Sequence, residues 1–195
     1  MNRIYHYVNL VCWNDVYNLL KEENFNVDKH IVFCDTVSLR LMSFLFKNKK
    51  IVKTGPVEFF KRMHIKDVFY LSAKNISENH IILPIFDSKE DMKVFAKEFK
   101  TNCKNIFIGI SSPKQNILAN EISKNLNDKN IYCFGGAIYL NKNNANLSKL
   151  WIRFVKEYPI RTLYKIILTI RNAIIICVNK KHRKNFKHFL ELIQL

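Results

Sequence analysis

The chain has 195 residues, 48% of them hydrophobic, which suits one domain with a substantial core. Its formal net charge of +16 at pH 7 favours anionic partners, namely nucleic acid, a membrane surface or phosphorylated substrates. The opening residues MNRIYHYV show no signal-peptide pattern, and the five cysteines form no C-x-x-C pair, so we expect a cytoplasmic protein with reduced thiols.

Short apolar runs alternate with helical periods along the chain. The predicted strands cover residues 30–34, 50–53, 67–71, 80–83, 105–110 and 130–134, and a further strand precedes Asn9. The predicted helices cover residues 36–46, 57–63, 87–100 and the segment that begins at Ser112. Apolar strands alternating with helices are typical of a parallel sheet with helices on both faces. We therefore predict an α/β, Rossmann-like fold.

The stretch Ser112-Pro113-Lys114-Gln115 predicts a helix start directly after a strand. It has the S-x-x-Q form of a capping box, in which the serine caps the helix and the glutamine reaches back to it. Pro113 stands where the first helical residue belongs. Since ligands of open parallel sheets bind at the carboxyl ends of the strands, the same turn is also a candidate binding site.

The four glycines of the chain all stand at or just after the ends of predicted strands: Gly55, Gly109, Gly135 and Gly136. Glycine permits tight turns and a close approach of the backbone to a ligand. A helix that begins at such a point can offer free N–H groups to a phosphate. Turns between strands and helices also use glycine for purely structural reasons, and that alternative stays open.

Several common sites have no counterpart in the sequence. It contains neither a G-x-G-x-x-G nor a Walker A pattern. It also has no His or Cys/His spacing typical of zinc, and no acidic cluster for a divalent ion. We therefore expect neither a metal nor another cofactor.

The C-terminal part is strongly basic and partly apolar. From Trp151 onward it has ten Lys or Arg residues against two acidic residues. The apolar run over 163–178 is interrupted by Lys165 and Arg171, and is too short for the roughly 20 apolar residues of a membrane-spanning helix. We predict a helical appendage over 151–195 that lies on a membrane surface. A core helix with a basic outer face is the alternative.

Five short motifs follow one another between Asn9 and Arg161. They are FCDT at 33–36, VKTGP at 52–56, IGISSPKQ at 108–115, FGGA at 134–137, and Trp151 with EYPIR at 157–161. In order and in letters they resemble the motifs of the WecG/TagA/CpsF family of bacterial glycosyltransferases, glycosyltransferase family 26. G-x-x-S-P-K-Q is the most specific of these matches.

The resemblance implies a catalytic domain over 1–150 that belongs to an inverting, metal-independent glycosyltransferase. Such an enzyme would move an N-acetylmannosamine-type sugar from a UDP donor to a polyprenyl-diphosphate-linked acceptor. The products would enter capsule, teichoic acid or related cell-envelope polysaccharide. The implied location is peripheral, on the inner face of the cell membrane, with the anionic membrane surface as a partner.

The resemblance also implies roles for individual residues. Asp35 falls at the catalytic base, which would take a proton from the attacking acceptor hydroxyl. Its simpler interpretation is an N-cap of the following helix. Asn9, 26 residues earlier, would line the sugar pocket. Lys53, with Thr54 and Gly55, would meet the donor diphosphate.

The remaining implied site residues lie in the second half of the chain. Gln115 would approach the nucleotide, and Gly135 and Gly136 would let backbone N–H groups approach the phosphates. Arg161 would close over the active site when the appendage meets the membrane. A solvated surface charge is its simpler interpretation.

The chain departs from the family motifs at several places. Thr36 replaces the glycine of P-D-G, Ser72-Ala73 replaces a G-G turn, Asn116 replaces a glutamate, the R-A-P segment after G-G-A is missing, and Phe154 stands where an arginine is usual. A pseudo-enzyme that binds a UDP-sugar without turnover is therefore an alternative. A nucleic-acid-binding protein is a second one, although no RNP-type motif, zinc finger or clear helix-turn-helix is present, so we expect no nucleic acid partner. Homo-oligomerisation stays open.

Overall fold

The computed structural model describes residues 1–47, 65–74, 78–135, 138 and 159–193. Its strands are β1 Arg3–Val8, β2 His30–Cys34, β3 Val68–Ser72, β4 His80–Ile82, β5 Asn105–Gly109 and β6 Asn130–Cys133. They form one sheet in the order β2-β1-β6-β5-β3-β4, and every neighbouring pair is parallel. With the helices around it, this sheet confirms the predicted α/β, Rossmann-like fold.

The helices of the described part are α1 Trp13–Glu22, α2 Val37–Lys47, α3 Lys89–Glu98, α4 Lys114–Asn125, α5 Pro159–Val178 and α6 Lys180–Leu192. The predicted starts of α2, α3 and α4 are confirmed to within two residues. Ser88 caps α3 in a capping box with Asp91. Helix α1 was not predicted from the sequence. The strand expected at 50–53 and the helix expected at 57–63 lie outside the described residues.

One face of the sheet packs against these helices. Every second residue along the strands points to this face. Ile106 and Ile131 of the strands and Leu118 of α4 are fully buried in the same cluster there. Towards β1 and β2 the core is built around Trp13 of α1, whose ring centroid lies 5.0 Å from that of Phe186 of α6. Burying such large side chains is the main source of stability.

The C-terminal helices share this core. Phe186, Phe189 and Leu190 of α6 are completely buried, and Ile193 pairs in parallel with Val32 at the outer edge of the sheet. The boundary at residue 150 between a catalytic domain and an appendage stays a prediction.

The opposite face of the sheet carries an aromatic layer. Tyr7, Phe107, Tyr132 and Phe134 are buried in it, and Phe107 and Phe134 meet edge to face with centroids 4.9 Å apart. Ile138 packs on the same layer.

Candidate active site

The predicted site residues that the structure describes meet at one edge of the sheet. β2, β1, β6 and β5 are neighbours in that order and run in the same direction, so their carboxyl ends lie side by side. Asp35 follows β2 directly, and Asn9 follows β1 directly. Gly135 is the second residue after β6, and Gln115 lies in the first turn of α4, the helix after β5. Carboxyl ends of this kind are the usual ligand sites of parallel sheets.

Asp35 and Asn9 lie next to one another. Val8 and Cys34 are register partners, and the N–H group of Asp35 donates to the carbonyl of Val8 at 2.9 Å. Burial raises the pKa of the Cys12 thiol to about 11, and the negative charge of Asp35 adds to that shift. The carboxylate of Asp35 is half-buried at this edge.

The helix after Asp35 is capped by its neighbour. The N–H group of Leu39 donates to the hydroxyl of Thr36 at 3.4 Å, and that of Arg40 donates to the carbonyl of Thr36 at 3.2 Å. Thr36 thus occupies the N-cap position that was the simpler interpretation of Asp35. Thr36 stands where the P-D-G motif has glycine, and its hydroxyl has a structural role here as the cap of α2.

Asn9 starts the loop that leads into α1. Its Oδ1 accepts from the N–H groups of Val11 and Cys12 at 2.9 and 3.2 Å, which is the side-chain pattern of an Asx turn. Its Nδ2 has no hydrogen-bond partner within the described part of the chain. The oxygen of Asn9 is therefore structural, whereas its NH₂ group is available to a ligand.

Gln115 makes a different contact from the one expected. Its Nε2 donates to the hydroxyl of Ser112 at 2.7 Å, and α4 has no side-chain cap. The prediction of a capping box is wrong because Pro113 occupies the cap position, which leaves Ser112 one residue too early to cap the first turn. The pair Gln115–Ser112 stabilises the turn through side chains instead.

The Oε1 atom of Gln115 is the most unusual polar group at this edge. It is buried in a residue that is only 3% exposed, and it has no hydrogen-bond partner among the described residues. An unpaired buried acceptor costs about 1–3 kcal/mol. Gly135 lies beside this amide with a φ of +57°, a conformation that glycine adopts without strain. The structure thus brings Gln115 and Gly135 together.

The start of α4 offers fewer free donors than expected. The N–H groups of Gln115, Asn116 and Ile117 donate to the carbonyls of Ser111 or Pro113 at 3.0–3.3 Å. The expectation that a phosphate could use the free N–H groups of this helix start is therefore wrong at these three positions.

Gly109 has a packing role. A Cβ atom at this position would come within 2.4 Å of the Cγ2 atom of Ile138, far inside van der Waals contact. Gly109 is therefore needed for packing against Ile138, a structural reason other than the turn that was the open alternative.

Some predicted site residues cannot be located at this edge. Lys53, Thr54, Gly55 and Gly136 lie outside the described residues. Arg161 belongs to the first turn of α5, and its side chain also lies outside them. Their roles stay predictions.

A buried polar chain below the site was not predicted. Asn116 Nδ2 donates to His6 Nδ1 at 2.8 Å, so His6 carries its proton on Nε2 and donates to His30 Nδ1 at 3.0 Å. Burial lowers the pKa of both histidines, that of His30 to about 4 with a contribution from Lys29. Both rings are therefore neutral at pH 7. The sequence signal was a histidine within each of two apolar strands.

A serine–histidine pair at the end of β3 has no nucleophilic geometry. Ser72 Oγ donates to the carbonyl of Lys74 at 2.6 Å, so the contact of 3.2 Å with His80 Nε2 requires the histidine to donate. A serine nucleophile needs the opposite direction, with the histidine accepting the hydroxyl proton. The pair stabilises the turn between β3 and β4.

Within the described ranges, no group of three or more His, Cys, Asp or Glu side chains could hold a metal ion. The comparisons with known proteins give no match to a family model, a curated protein or a solved structure. The family resemblance therefore depends on the motifs alone.

Proposed function

We propose that the protein is a glycosyltransferase that moves an N-acetylhexosamine-type sugar from a UDP donor to a polyprenyl-diphosphate-linked acceptor. The main support is that Asp35, Asn9, Gly135 and Gln115, which were chosen from motifs spread over 127 positions from 9 to 135, follow four neighbouring strand ends. The proposed reaction inverts the anomeric centre, needs no metal, and serves cell-surface polysaccharide synthesis.

Asp35 is the proposed general base. Its carboxylate takes the proton of the acceptor hydroxyl while that oxygen attacks the anomeric carbon. The bond between this carbon and the diphosphate breaks, and UDP leaves with the electron pair. Capping of α2 by Thr36 is consistent with this role, because the helix does not need the carboxylate of Asp35 as its cap.

Gln115 is the proposed contact to the donor. Its Oε1, which has no partner among the described residues, accepts a hydrogen bond from an N–H or O–H group of the donor. Asn9 supplies its NH₂ group to the sugar. For Lys53 and Gly136, the contacts with the donor diphosphate that the resemblance implies remain part of the proposal.

The exposed side of α5 supports attachment to a membrane surface. Eight large apolar side chains of α5 are exposed, including Ile167 and Ile174, and they recur at helical spacing. No single helix of the described part is long and apolar enough to span a membrane; α5 and α6 together would suffice by length and composition, but they are bent by 106°. We therefore propose that α5 lies on the inner leaflet.

A thermal-shift screen against UDP-N-acetylhexosamines tests this proposal first. We expect a concentration-dependent rise of Tm with at least one UDP-sugar and none with ADP-glucose, since a ligand that binds only the folded state stabilises it. A chain that responds to no UDP-sugar would contradict the proposed function.

A further inference from the structure

Helix α2 is apolar on two sides. Leu39 and Met42 are buried against the core, as an amphipathic helix requires. On the outer side Leu41, Phe44 and Leu45 are 58%, 58% and 63% exposed. Their spacing of three and four residues places them in one stripe along the helix. The outer side of α2 therefore carries three large apolar side chains that the core does not cover.

Most of the exposed large apolar side chains belong to two helices. Among the described residues, α5 has eight of them and α2 has three, against five elsewhere. Both helices pack on the same core cluster around α6, which Met42 enters from α2 and Ile176 from α5. Clusters of exposed apolar residues are typical of surfaces that bind a partner.

The charge near these stripes indicates which partner fits. Helices α5 and α6 contain eight Lys or Arg residues and a single acid, Glu191. A second copy would bring the same excess of positive charge to the interface and would be repelled. An anionic lipid surface instead attracts the basic residues near it and accepts apolar side chains between its headgroups.

We propose that α2 is a second membrane-contacting helix, which inserts Leu41, Phe44 and Leu45 into an anionic lipid surface together with α5. This inference deepens the proposed function. It depends on that function only in assuming that the acceptor is linked to a lipid. Because α2 begins two residues after Asp35, a bilayer that holds α2 lies next to the proposed base. The lipid anchor of the acceptor then stays in the membrane while its sugar reaches Asp35.

Vesicle co-sedimentation tests the inference without any sugar donor. The full chain is mixed with phosphatidylcholine vesicles that contain or lack phosphatidylglycerol. The variant is Leu41→Gln/Phe44→Gln/Leu45→Gln, which keeps good helix formers on α2. The matched control is Ile82→Gln/Ile85→Gln/Val94→Gln, three exposed apolar residues of β4, the segment after it and α3. An unchanged Tm shows that each variant is folded.

We expect the α2 variant to partition at least about tenfold more weakly onto anionic vesicles, since each inserted apolar side chain adds to binding. The control should stay within about twofold of the wild type. Equal partitioning of the α2 variant and the wild type would overturn the inference. So would light scattering that shows a wild-type dimer and a monomeric α2 variant, because α2 would then bind a second copy.

Failure of the inference and failure of the proposed function give different results. If transfer from UDP-sugars is absent but the α2 variant loses vesicle binding, only the proposed activity fails. If transfer depends on Asp35 but α2 does not affect vesicle binding, only the role of α2 fails.

Discussion

The amide of Gln115 lies against Gly135, with its Oε1 atom 3.6 Å from the position that a Cβ atom would occupy on the glycine. This contact joins the first turn of α4 to the end of β6 and places a buried, unpaired acceptor at the carboxyl edge of the sheet. Both residues were chosen from separate motifs. Their contact gives the first two predictions.

Gly135→Ala should destabilise the fold by about 1 kcal/mol, because an L-residue is strained at a φ of +57°. Crowding is not the cause, since a Cβ atom would lie at ordinary contact distances of 3.5 Å or more. The free energy of unfolding in urea measures the effect. A variant as stable as the wild type would mean that the backbone at Gly135 relaxes without cost.

Gln115→Met separates a binding role from a structural one. Methionine has a similar shape and removes the unpaired Oε1 together with the bond to Ser112. We expect the free energy of unfolding to stay within about 1 kcal/mol of the wild type, because one lost hydrogen bond is offset by the loss of a buried orphan acceptor. UDP-sugar affinity should fall by at least about tenfold, as measured by calorimetry.

Ser112→Ala is the control for that prediction, since it removes the same hydrogen bond and leaves Oε1 in place. It should retain most of the UDP-sugar affinity. If both variants bind as tightly as the wild type, Gln115 is not a donor contact.

Gly109→Ala should destabilise the fold by about 1–3 kcal/mol through overpacking, because the new Cβ would lie 2.4 Å from Ile138. The double variant Gly109→Ala/Ile138→Ala removes the clash. Relative to Ile138→Ala alone, the Gly109→Ala change should then cost much less, and a double-mutant cycle in urea measures this coupling. If the two substitutions have additive effects on the free energy of unfolding, Ile138 is not the residue that the new Cβ atom clashes with.

Stability should fall as the pH is lowered from 6.5 towards 4. His6 and His30 have folded-state pKa values below the unfolded value of 6.5, so the unfolded chain binds protons first and acid favours unfolding. With a folded pKa of about 4, His30 alone should account for about 2 kcal/mol between pH 7.5 and pH 5. The positive charge of Lys29 favours the neutral form of the His30 ring, whereas the negative charge of Glu23 favours its protonated form.

Urea unfolding of His30→Gln at the two pH values measures this contribution. The loss of stability between pH 7.5 and 5 should be about 2 kcal/mol smaller than in the wild type. The carboxylate of Glu23 affects stability at a lower pH than His30 does. Burial favours its neutral form, but hydrogen bonds from Asn120 and Lys29 bring its pKa to about 2, so its contribution disappears only below pH 4.5. An identical pH dependence in wild type and variant would contradict the role of His30.

Strand positions were predictable because each strand is a short apolar run, and a parallel sheet fixes where its carboxyl ends lie. Asp35 and Gln115 could therefore be placed at one edge from the sequence. Helix α1 was not predicted, although Trp13, Val16 and Tyr17 recur at helical spacing.

Contacts between distant residues were not predictable. The chain from Asn116 through His6 to His30 joins residues 110 and 24 positions apart, and nothing local in the sequence pairs them. The wrong capping box at Ser112 has the opposite origin. The S-x-x-Q pattern is present, but α4 begins one residue later than the pattern predicts, with Pro113 at the cap position.

The transfer rate of Asp35→Asn tests the central claim most directly. The assay follows an N-acetylhexosamine from its UDP donor to a polyprenyl-diphosphate-linked sugar in vesicles. Asp15→Asn, which changes a carboxylate in the first turn of α1, is the matched control, and Tm verifies folding. We predict a loss of at least about 100-fold for Asp35→Asn and near wild-type turnover for the control. Turnover by folded Asp35→Asn at the wild-type rate would contradict the assignment of Asp35 as the base.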